Sequence, residues 1–402
     1  MQYLLIRNAR LCTDAANAPM QTILIANGRI VGIGQDIQHP LVNTVDLDAE
    51  GKYVIPALID VCHPLPASLS EDSVVNMNFD NISAGITTLM TVTPDIEENI
   101  KTMDKICERS LNFATHIPLR QVTIGDSRSL SKMMVINGVA TAAVRFGDEK
   151  RCDIATLAPS ISAAKNLGLR VIYDMRGLTG STERISTLKS LCEVLVQDQT
   201  NKAYIIGIEH QEELDVLTAI HSKLDLAAHI CYDPFGQSAS ELHKLTPDTI
   251  VETLRSHKWC TFGLAYSTSK VTKEGWPDMT PEIVGRNMLQ VLNAMKTEKS
   301  LTLAEIVEFR ISRVARLLGL APQVGQVTTG AMADLIVWDD DYADSARVDT
   351  PRGNIQEIPL KGRIDAVVIN GNLALHEKFD ADAITGRHCY ARIVAGESWI
   401  TH

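Results

Sequence analysis

Polar side chains that could perform acid–base or metal chemistry fall near the predicted ends of several strands in this 402-residue chain. Carboxylates and imidazoles move protons or hold a divalent ion when they gather in one cleft. The set is large enough for one divalent ion or for metal-free acid–base chemistry. It comprises Cys62, His63, Asp148, Asp174, Glu209, His210, His229 and Asp233.

The middle of the chain, roughly 55–320, alternates buried strands with helical segments. Eight strand-then-helix units over about 265 residues predict a closed (β/α)8 TIM barrel, an α/β fold. An open doubly wound sheet remains the structural alternative. The strand candidates are 54–60, 86–92, 117–125, 138–146, 171–175, 203–210, 224–232 and 258–265.

Both ends of the chain are rich in strand and turn residues, which predicts one small β-sandwich-like domain formed from both termini. Two steps, Asn27-Gly28 and Asn370-Gly371, are typical of two-residue hairpins. Residues 325–339 and 362–376 are further β-rich runs. The predicted domains are 1–55 (small β domain), 56–322 (barrel) and 323–402 (small β domain again).

Composition limits the classes of function. The net charge of −11 argues against nucleic acid as a partner, because binding to phosphates needs a basic surface. No apolar run approaches the length of a membrane span, and the N-terminus is typical of a first strand and not of a signal peptide. Eight cysteines without a CxxC pair indicate reduced thiols. We therefore expect a cytoplasmic protein.

Several segments resemble the amidohydrolase superfamily, with dihydroorotases and hydantoinases the most similar. The segments are DLDAEGKYVIPALIDVCHP (46–64), GITTLMTVTP (85–94), LTLAEIVEFRISRVARLLGL (301–320), GQVTTGAMADLIVWDDD (325–341) and KGRIDAVVINGNLAL (361–375). The resemblance implies the barrel fold with one or two divalent metals at the C-terminal ends of strands 1, 4, 5, 6 and 8. Those metals lower the pKa of a water molecule that attacks a cyclic amide.

Position by position, the resemblance also implies that most metal ligands have been replaced. Cys62 and Pro64 stand in the place of His-x-His on strand 1, and His63 is one residue out of phase with it. Gly263 stands in the place of the strand-8 aspartate, the general base, and Leu264 in that of the following histidine. Glycine cannot accept a proton.

At the ligand positions of strands 4 and 5, the resemblance implies that charged residues stand in place of the family's usual metal ligands. Arg145 takes the place of the carbamylated lysine and cannot ligate a metal, whereas Asp148 takes that of a bridging aspartate. Asp174 takes the ligand place on strand 5, and it could instead form an ion pair with Arg145 or Arg176.

Strand 6 admits two registers. Residues 203–210 place Gly207 at the ligand position, followed by Glu209 and His210, whereas residues 224–232 would place His229 there. Counting eight strands favours the first register, with His229 on strand 7. A pocket or core role is then expected for His229.

Three hypotheses follow. The first is a non-catalytic homologue, a pseudoenzyme scaffold whose family precedent assembles with aspartate transcarbamoylase, with no cofactor. The second is a hydrolase of a cyclic amide or other C–N bond that uses a rebuilt site, either with one zinc ion or metal-free; dihydroorotase activity itself is not expected. The third is a small-molecule binding protein that uses the barrel mouth without turnover. A homo-oligomer without nucleic-acid or membrane partners is expected in each case.

The predicted site residues fall into three groups. The catalytic candidates are Asp148, Asp174, Arg145 and Glu209. The metal candidates are Cys62, Asp174, His210 and His229. The substrate-binding candidates are Arg145, Arg176, His229 and Tyr266.

Overall fold

A computed structural model describes the elements that position these residues. It covers residues 3–12, 19–37, 43–64, 81–93, 115–121, 141–146, 154–166, 170–178, 180–199, 203–233, 244–264, 288–349 and 355–376. The strands are β1 (Tyr3–Leu11), β2 (Gln21–Ala26), β3 (Arg29–Gly34), β4 (Thr44–Asp48), β5 (Tyr53–Pro56), β6 (Leu58–Pro64), β7 (Ile86–Thr93), β8 (Thr115–Gln121), β9 (Thr141–Arg145), β10 (Arg170–Asp174), β11 (Ala203–Ile208), β12 (Leu226–Tyr232), β13 (Cys260–Leu264), β14 (Leu335–Asp349), β15 (Ile355–Ile369) and β16 (Asn372–His376).

Helices follow the later strands of the middle region. They are α1 (Ile154–Asn166), α2 (Ser181–Gln197), α3 (Gln211–Ile220), α4 (Pro247–Ser256), α5 (Met288–Asn293), α6 (Leu303–Val307) and α7 (Arg313–Leu318), with a π-helix at Glu308–Ser312 between the last two. The described helices include none that is long and apolar enough to cross a membrane.

The first sheet joins strands from both ends of the chain, in the order β16-β15-β14-β5-β1-β2-β3, with β4 also paired to β1. A register shift between Ile6 and Ala9 divides β1, whose later residues pair with β5. Side chains from both halves form one buried cluster that includes Ile6, Ile25 and Val337. Strands from both termini therefore share one core.

Both predicted hairpins are present in this sheet. Asn27 and Gly28 connect β2 to β3 with φ angles of 52° and 75°, and Asn370 and Gly371 connect β15 to β16 with 50° and 77°. Two consecutive positive φ angles are the geometry of a type I′ turn. These two predictions are confirmed.

The second sheet is parallel and has eight strands in chain order, from β6 to β13. Its strand count agrees with the predicted (β/α)8 pattern. Among the described residues, β6 and β13 share no ladder, so hydrogen bonding does not close the sheet there. The two strands nevertheless face one cavity, described below.

Side chains alternate between the two faces of the parallel sheet. Ile59, Val61, Ile172 and Ile206 belong to one inner cluster that also takes in Val314 of α7. Neighbouring residues such as Val171, Tyr173 and Ile205 belong to a second cluster, which contains the buried faces of α1 to α4. One face of the sheet therefore packs against the inner cluster, and the other face packs against α1 to α4.

Two strand predictions require correction. The predicted strand 54–60 is two strands that lie in different sheets. The amide of Ala57 donates to the carbonyl of Asp334, which directly precedes β14 of the first sheet, and the amide of Leu58 donates to the carbonyl of Gly85, which directly precedes β7 of the second. The β-rich run 325–339 forms a strand only from Leu335 onwards, because the residues before it form turns and bends.

Four cysteines are described with their side chains. Of these, Cys192, Cys231 and Cys260 are free thiols. This agrees with the reduced thiols that the sequence predicts.

Candidate functional site

A small cavity of about 20 Å³ lies at the C-terminal side of the parallel sheet. This side of a parallel α/β sheet is where ligands usually bind. The cavity is large enough for roughly one or two water molecules. It is lined by Asp60, Val61, Arg176, Ile206, His229, Cys231, Gly263, Leu264 and Arg310.

Asp174, at the end of β10, is held by the guanidinium of Arg176. Its Oδ1 atom accepts from Arg176 Nε at 2.8 Å, and its Oδ2 accepts from Nη2 at 3.0 Å. Asp174 is 2% exposed, so this fork compensates a carboxylate that burial would otherwise disfavour. Of the two roles weighed for Asp174, the structure shows the ion pair with Arg176.

His229 lies on β12, the seventh strand of the parallel sheet, as strand counting predicts. Its Nδ1 atom lies 2.8 Å from Thr261 Oγ1 and 3.2 Å from the Tyr204 hydroxyl, and these two oxygens are 2.7 Å apart. Thr261 donates to the carbonyl of Ala228 at 3.4 Å. These two hydroxyl groups therefore hold the imidazole ring through its Nδ1 atom.

The environment keeps this imidazole neutral. Burial lowers the pKa of His229 well below its ordinary value, and the guanidinium groups of Arg310 and Arg176 lower it further. Asp60 acts in the opposite direction and does not outweigh them. The Nε2 atom lies on the ring edge opposite the contacts that Nδ1 makes with Thr261 and Tyr204.

Arg310 reaches the cavity from the π-helix and was not singled out by the sequence analysis. Its Nη1 donates to the carbonyl of Ile59 on β6 at 2.8 Å, and the residue is only 3% exposed. It precedes Val314, a member of the inner cluster, by four residues and thus lies on the same helical face. A charged residue on an apolar helical face was the signal available in VEFRISRVARLLGL.

Two glycines fit closely against these side chains. A Cβ atom at Gly263 would lie 2.6 Å from His229 Nε2 and 3.5 Å from Arg310 Nε. At Gly207, where φ is +91°, a Cβ would lie 2.8 Å from Arg176 Cγ and 2.9 Å from its backbone nitrogen. Arg176 and His229 therefore occupy the space that a side chain at Gly207 on β11 or at Gly263 on β13 would need.

The candidates Glu209 and His210 do not line the cavity. They follow β11 and begin α3, where a second polar cluster surrounds Glu213. Glu213 accepts from the backbone of both and from Arg184 Nε at 2.7 Å. Lys244 pairs with Asp233 and lies 3.9 Å from Glu209.

This second cluster joins the ends of two strands. Arg184 donates to the carbonyls of Met175, Leu178 and Gly207, which follow or end β10 and β11. Burial raises the pKa of Glu213, but the nearby imidazole of His210 and the guanidinium of Arg184 bring it down to about 2. Burial raises the pKa of Glu209 against the effects of Arg184 and Lys244. The cluster stabilises the frame around the cavity.

Four sequence candidates lie wholly or partly outside the described residues. Asp148 and Tyr266 are not described. Cys62 and Arg145 belong to β6 and β9, but the placement of their side chains is not described. Their roles stay predictions.

Over the described part of the chain, no three His, Cys, Asp or Glu side chains form a group able to hold a metal ion. The candidates Asp174, His210 and His229 are thus not brought together as a ligand set. What the cavity gathers is two guanidinium groups, one carboxylate, one neutral imidazole and one thiol.

Part of the sequence matches a known protein family. Residues 265–374 match the amidohydrolase family. No curated protein matches the sequence at a significant level.

Solved structures match over nearly the full length. A D-hydantoinase gives a TM-score of 0.78 at 17% identity, covering 98% of this chain and 100% of that chain. A D-hydantoinase (dihydropyrimidinase) from Thermus sp. gives 0.73 at 18% identity, covering 93% and 95%. A dihydropyrimidinase from Brevibacillus agri gives 0.74 at 17% identity, covering 97% and 98%. The chain shares their fold.

Proposed function

We propose that the chain is a hydantoinase-like member of the amidohydrolase superfamily, and that it is a non-catalytic homologue that does not hydrolyse cyclic amides by the metal-dependent route. We take its parallel sheet to be a (β/α)8 barrel with Arg310 at the seam between β6 and β13. The inner cluster shared by six strands supports this arrangement, as does the cavity that both seam strands line.

The proposal is carried by what fills the ligand positions of strands 6 and 8. Gly207 and Gly263 stand there, and Arg176 and His229 occupy the space next to them. Two guanidinium groups line the cavity, and a guanidinium repels a divalent cation and cannot ligate it. The described residues therefore do not fit the metal centre that the family implies.

Metal analysis with a turnover assay tests this function. Protein purified without chelators is analysed for zinc, manganese and iron, then assayed with hydantoin, dihydrouracil and dihydroorotate with and without added metal. A D-hydantoinase treated identically is the positive control. We expect well under one metal per chain and no turnover. About one metal per chain, lost in Asp174→Asn, together with turnover, would overturn the proposal.

A second candidate function is favoured by His229, whose Nε2 atom lies on the ring edge opposite the contact with Thr261. A neutral imidazole oriented by hydroxyl groups can act as a general base, and guanidinium groups can stabilise an oxyanion. The chain would then hydrolyse a C–N bond without a metal. Turnover of a cyclic amide in EDTA that is lost in His229→Gln would establish this activity, and its absence in both proteins would exclude it for the amides assayed.

Assembly is a separate part of the proposal. A homo-oligomer, and a complex with an aspartate transcarbamoylase-like protein, both rest on resemblance alone. Light scattering after size-exclusion chromatography, with and without that protein, tests both. A single peak at the mass of one chain in both runs would contradict them.

A further inference from the structure

Two histidines and a tryptophan, all half-buried, form a ring cluster at the N-terminal side of the parallel sheet. His221 is the C-cap residue of α3, His257 is that of α4, and Trp259 directly precedes β13. A helix that follows a parallel strand leads back to the N-terminal end of the next strand. The cluster therefore lies at the opposite end of the sheet from the cavity.

The three rings of this cluster lie close together. The imidazole of His221 stacks on the indole of Trp259, with ring centres 4.9 Å apart and an interplanar angle of 20°. The imidazole of His257 lies 5.3 Å from the indole and 6.2 Å from the imidazole of His221. An ion between the two imidazoles would therefore lie close to the indole, within the range of a cation–π contact.

Hydrogen bonding leaves one nitrogen of His221 able to bind a metal ion. Its Nδ1 atom lies 3.0 Å from the carbonyl oxygen of Thr218. A carbonyl oxygen can only accept, so Nδ1 donates, and in the neutral imidazole the lone pair is then on Nε2. Histidines that bind metals in proteins commonly donate from their second nitrogen in this way, which fixes the orientation of the ring.

His257 is fixed through its backbone. Its carbonyl accepts from the amide of Cys260 at 3.1 Å and from Arg313 Nη1 at 3.0 Å. Among the described residues, its imidazole has ring contacts with His221 and Trp259 and no hydrogen bond. Within this part of the chain, no hydrogen bond competes with a ligand for its ring nitrogens.

The separation of the two imidazoles suits one shared ion. Such an ion lies about 2 Å from each histidine nitrogen, which puts the centres of the two rings at most roughly 6.5 Å apart. The observed 6.2 Å between His221 and His257 is within that limit. Imidazole is a favoured ligand of Zn²⁺, Ni²⁺ and Cu²⁺, and affinity among these is highest for Cu²⁺. The described residues bring no third His, Cys, Asp or Glu to the pair, so water would complete the coordination.

We propose that His221 and His257 form a binding site for a divalent transition-metal ion, Cu²⁺ above all, and that the bound ion joins the ends of α3 and α4. This site goes beyond the proposed function, because it lies away from the ligand positions that the family implies. Two imidazoles alone hold an ion too weakly to retain it through purification, so the metal content expected above is unchanged. An ion at this site depends on the two histidines and not on Asp174.

Titration of the full-length protein with CuCl₂ tests the site, after treatment with EDTA and removal of the EDTA. Bound Cu²⁺ quenches the fluorescence of a nearby indole, so the emission of Trp259 reports binding. We expect saturable quenching that EDTA reverses, which separates binding from oxidation of thiols. Most of this quenching should be lost in Trp259→Phe. The electron paramagnetic resonance spectrum of the bound Cu²⁺ should show two nitrogen ligands.

Variants localise the ion. His221→Asn and His257→Asn should each weaken Cu²⁺ binding by about tenfold or more. Ser222→Asn is the matched control, because it introduces the same side chain at the neighbouring exposed residue and leaves both imidazoles in place. It should bind Cu²⁺ like the wild type.

If a histidine variant does not fold, the paramagnetic resonance spectrum of the wild-type protein decides. No saturable quenching, equal binding by the histidine variants and the control, or a spectrum with fewer than two nitrogen ligands would overturn the proposal. Binding that is lost in Asp174→Asn and kept in the histidine variants would place the ion in the cavity. That outcome would overturn both this inference and the proposed function.

Discussion

His229 Nε2 lies 2.6 Å from the position that a Cβ atom would take at Gly263. Real Cβ atoms do not approach a neighbour so closely, so the imidazole and any side chain at residue 263 exclude one another. A carboxylate side chain at residue 263 on the eighth strand and the present hydrogen-bonded position of His229 on the seventh strand therefore exclude one another. This mutual exclusion connects a sequence difference on one strand to a side-chain position on its neighbour.

The first prediction concerns Gly263→Asp, which restores the acid expected at this strand end. The new side chain must displace His229 from Thr261, so we expect the free energy of unfolding to fall by about 3 kcal/mol. Urea unfolding and metal analysis measure the result. We expect no gain of metal.

Gly180→Asp is the matched control for that substitution. Gly180 is the N-cap of α2, is exposed and has an ordinary φ of −85°. An aspartate favours this position, so stability should stay the same or rise by a few tenths of a kcal/mol. A Gly263→Asp protein as stable as this control, or one that binds a metal, would contradict the exclusion.

The second prediction concerns the fork between Arg176 and Asp174. Arg176→Met removes the guanidinium from this buried carboxylate, while the backbone amide of residue 176, 3.1 Å from Oδ1, still donates to it. The substitution should cost about 3–5 kcal/mol of unfolding free energy. The double variant Asp174→Leu/Arg176→Met removes both charges and should recover much of that loss. A double-mutant cycle by urea unfolding measures the coupling.

The exposed pair of Arg7 and Asp46 is the comparison for this cycle. Its atoms are 2.9 Å apart, but its side chains are 51% and 43% exposed. Arg7→Met should change stability by less than about 1 kcal/mol. If Arg7→Met and Arg176→Met lowered the free energy of unfolding equally, burial of Asp174 would not determine the strength of its ion pair.

Short-range signals in the sequence predicted much of the fold. The Asn27-Gly28 and Asn370-Gly371 hairpins follow from local backbone preferences. Counting strands was enough to place His229 on the seventh strand, because parallel strands in this pattern follow chain order. The split at Ala57 was missed, since it depends on a hydrogen bond to Asp334.

The site was less predictable because it is built from long-range contacts. Arg310 and the carbonyl it binds, on Ile59, are 251 positions apart. Gly207 and Gly263 could be read from the sequence as missing ligands, but not as spaces filled by Arg176 and His229. Which side chain fills a vacated position depends on neighbouring strands, and that information is not local.

The third prediction concerns acid stability and Glu213. Its pKa of about 2 in the folded protein is below the ordinary value of 4.5. A lowered folded pKa contributes stability that is present above pH 4.5 and is lost as the pH falls towards 2. Glu213→Gln should therefore be less stable than wild type at pH 7, by on the order of 3 kcal/mol. The difference should shrink between pH 4.5 and 2.

Urea unfolding at a series of pH values measures this difference, with Glu252→Gln as control. Glu252 is paired to Lys299 at 2.8 Å but is 66% exposed, so little pH dependence is expected from it. A stability difference for Glu213→Gln that stays constant down to pH 2 would refute the role of its ionisation. The loss would then reflect packing alone.

The fourth prediction has the opposite sign and concerns Asp334. Burial raises its pKa from 3.8 to about 6, although the backbone amide of Asn370, 2.7 Å from Oδ1, lowers it. A raised folded pKa contributes stability that is fully present below pH 3.8 and is lost as the pH rises through 6. Ionised Asp334 thus destabilises the protein at neutral pH.

Asp334→Asn resembles the protonated acid and keeps the oxygen that Asn370 binds. It should be more stable than wild type at pH 7.5, by up to about 3 kcal/mol, and equal to it near pH 3.8. Asp46→Asn, at an exposed site, is the control and should show no such crossover. If Asp334→Asn is instead less stable by the same amount at every pH, then Oδ2 accepts a hydrogen bond that an amide nitrogen cannot replace, and the carboxylate is required in the fold.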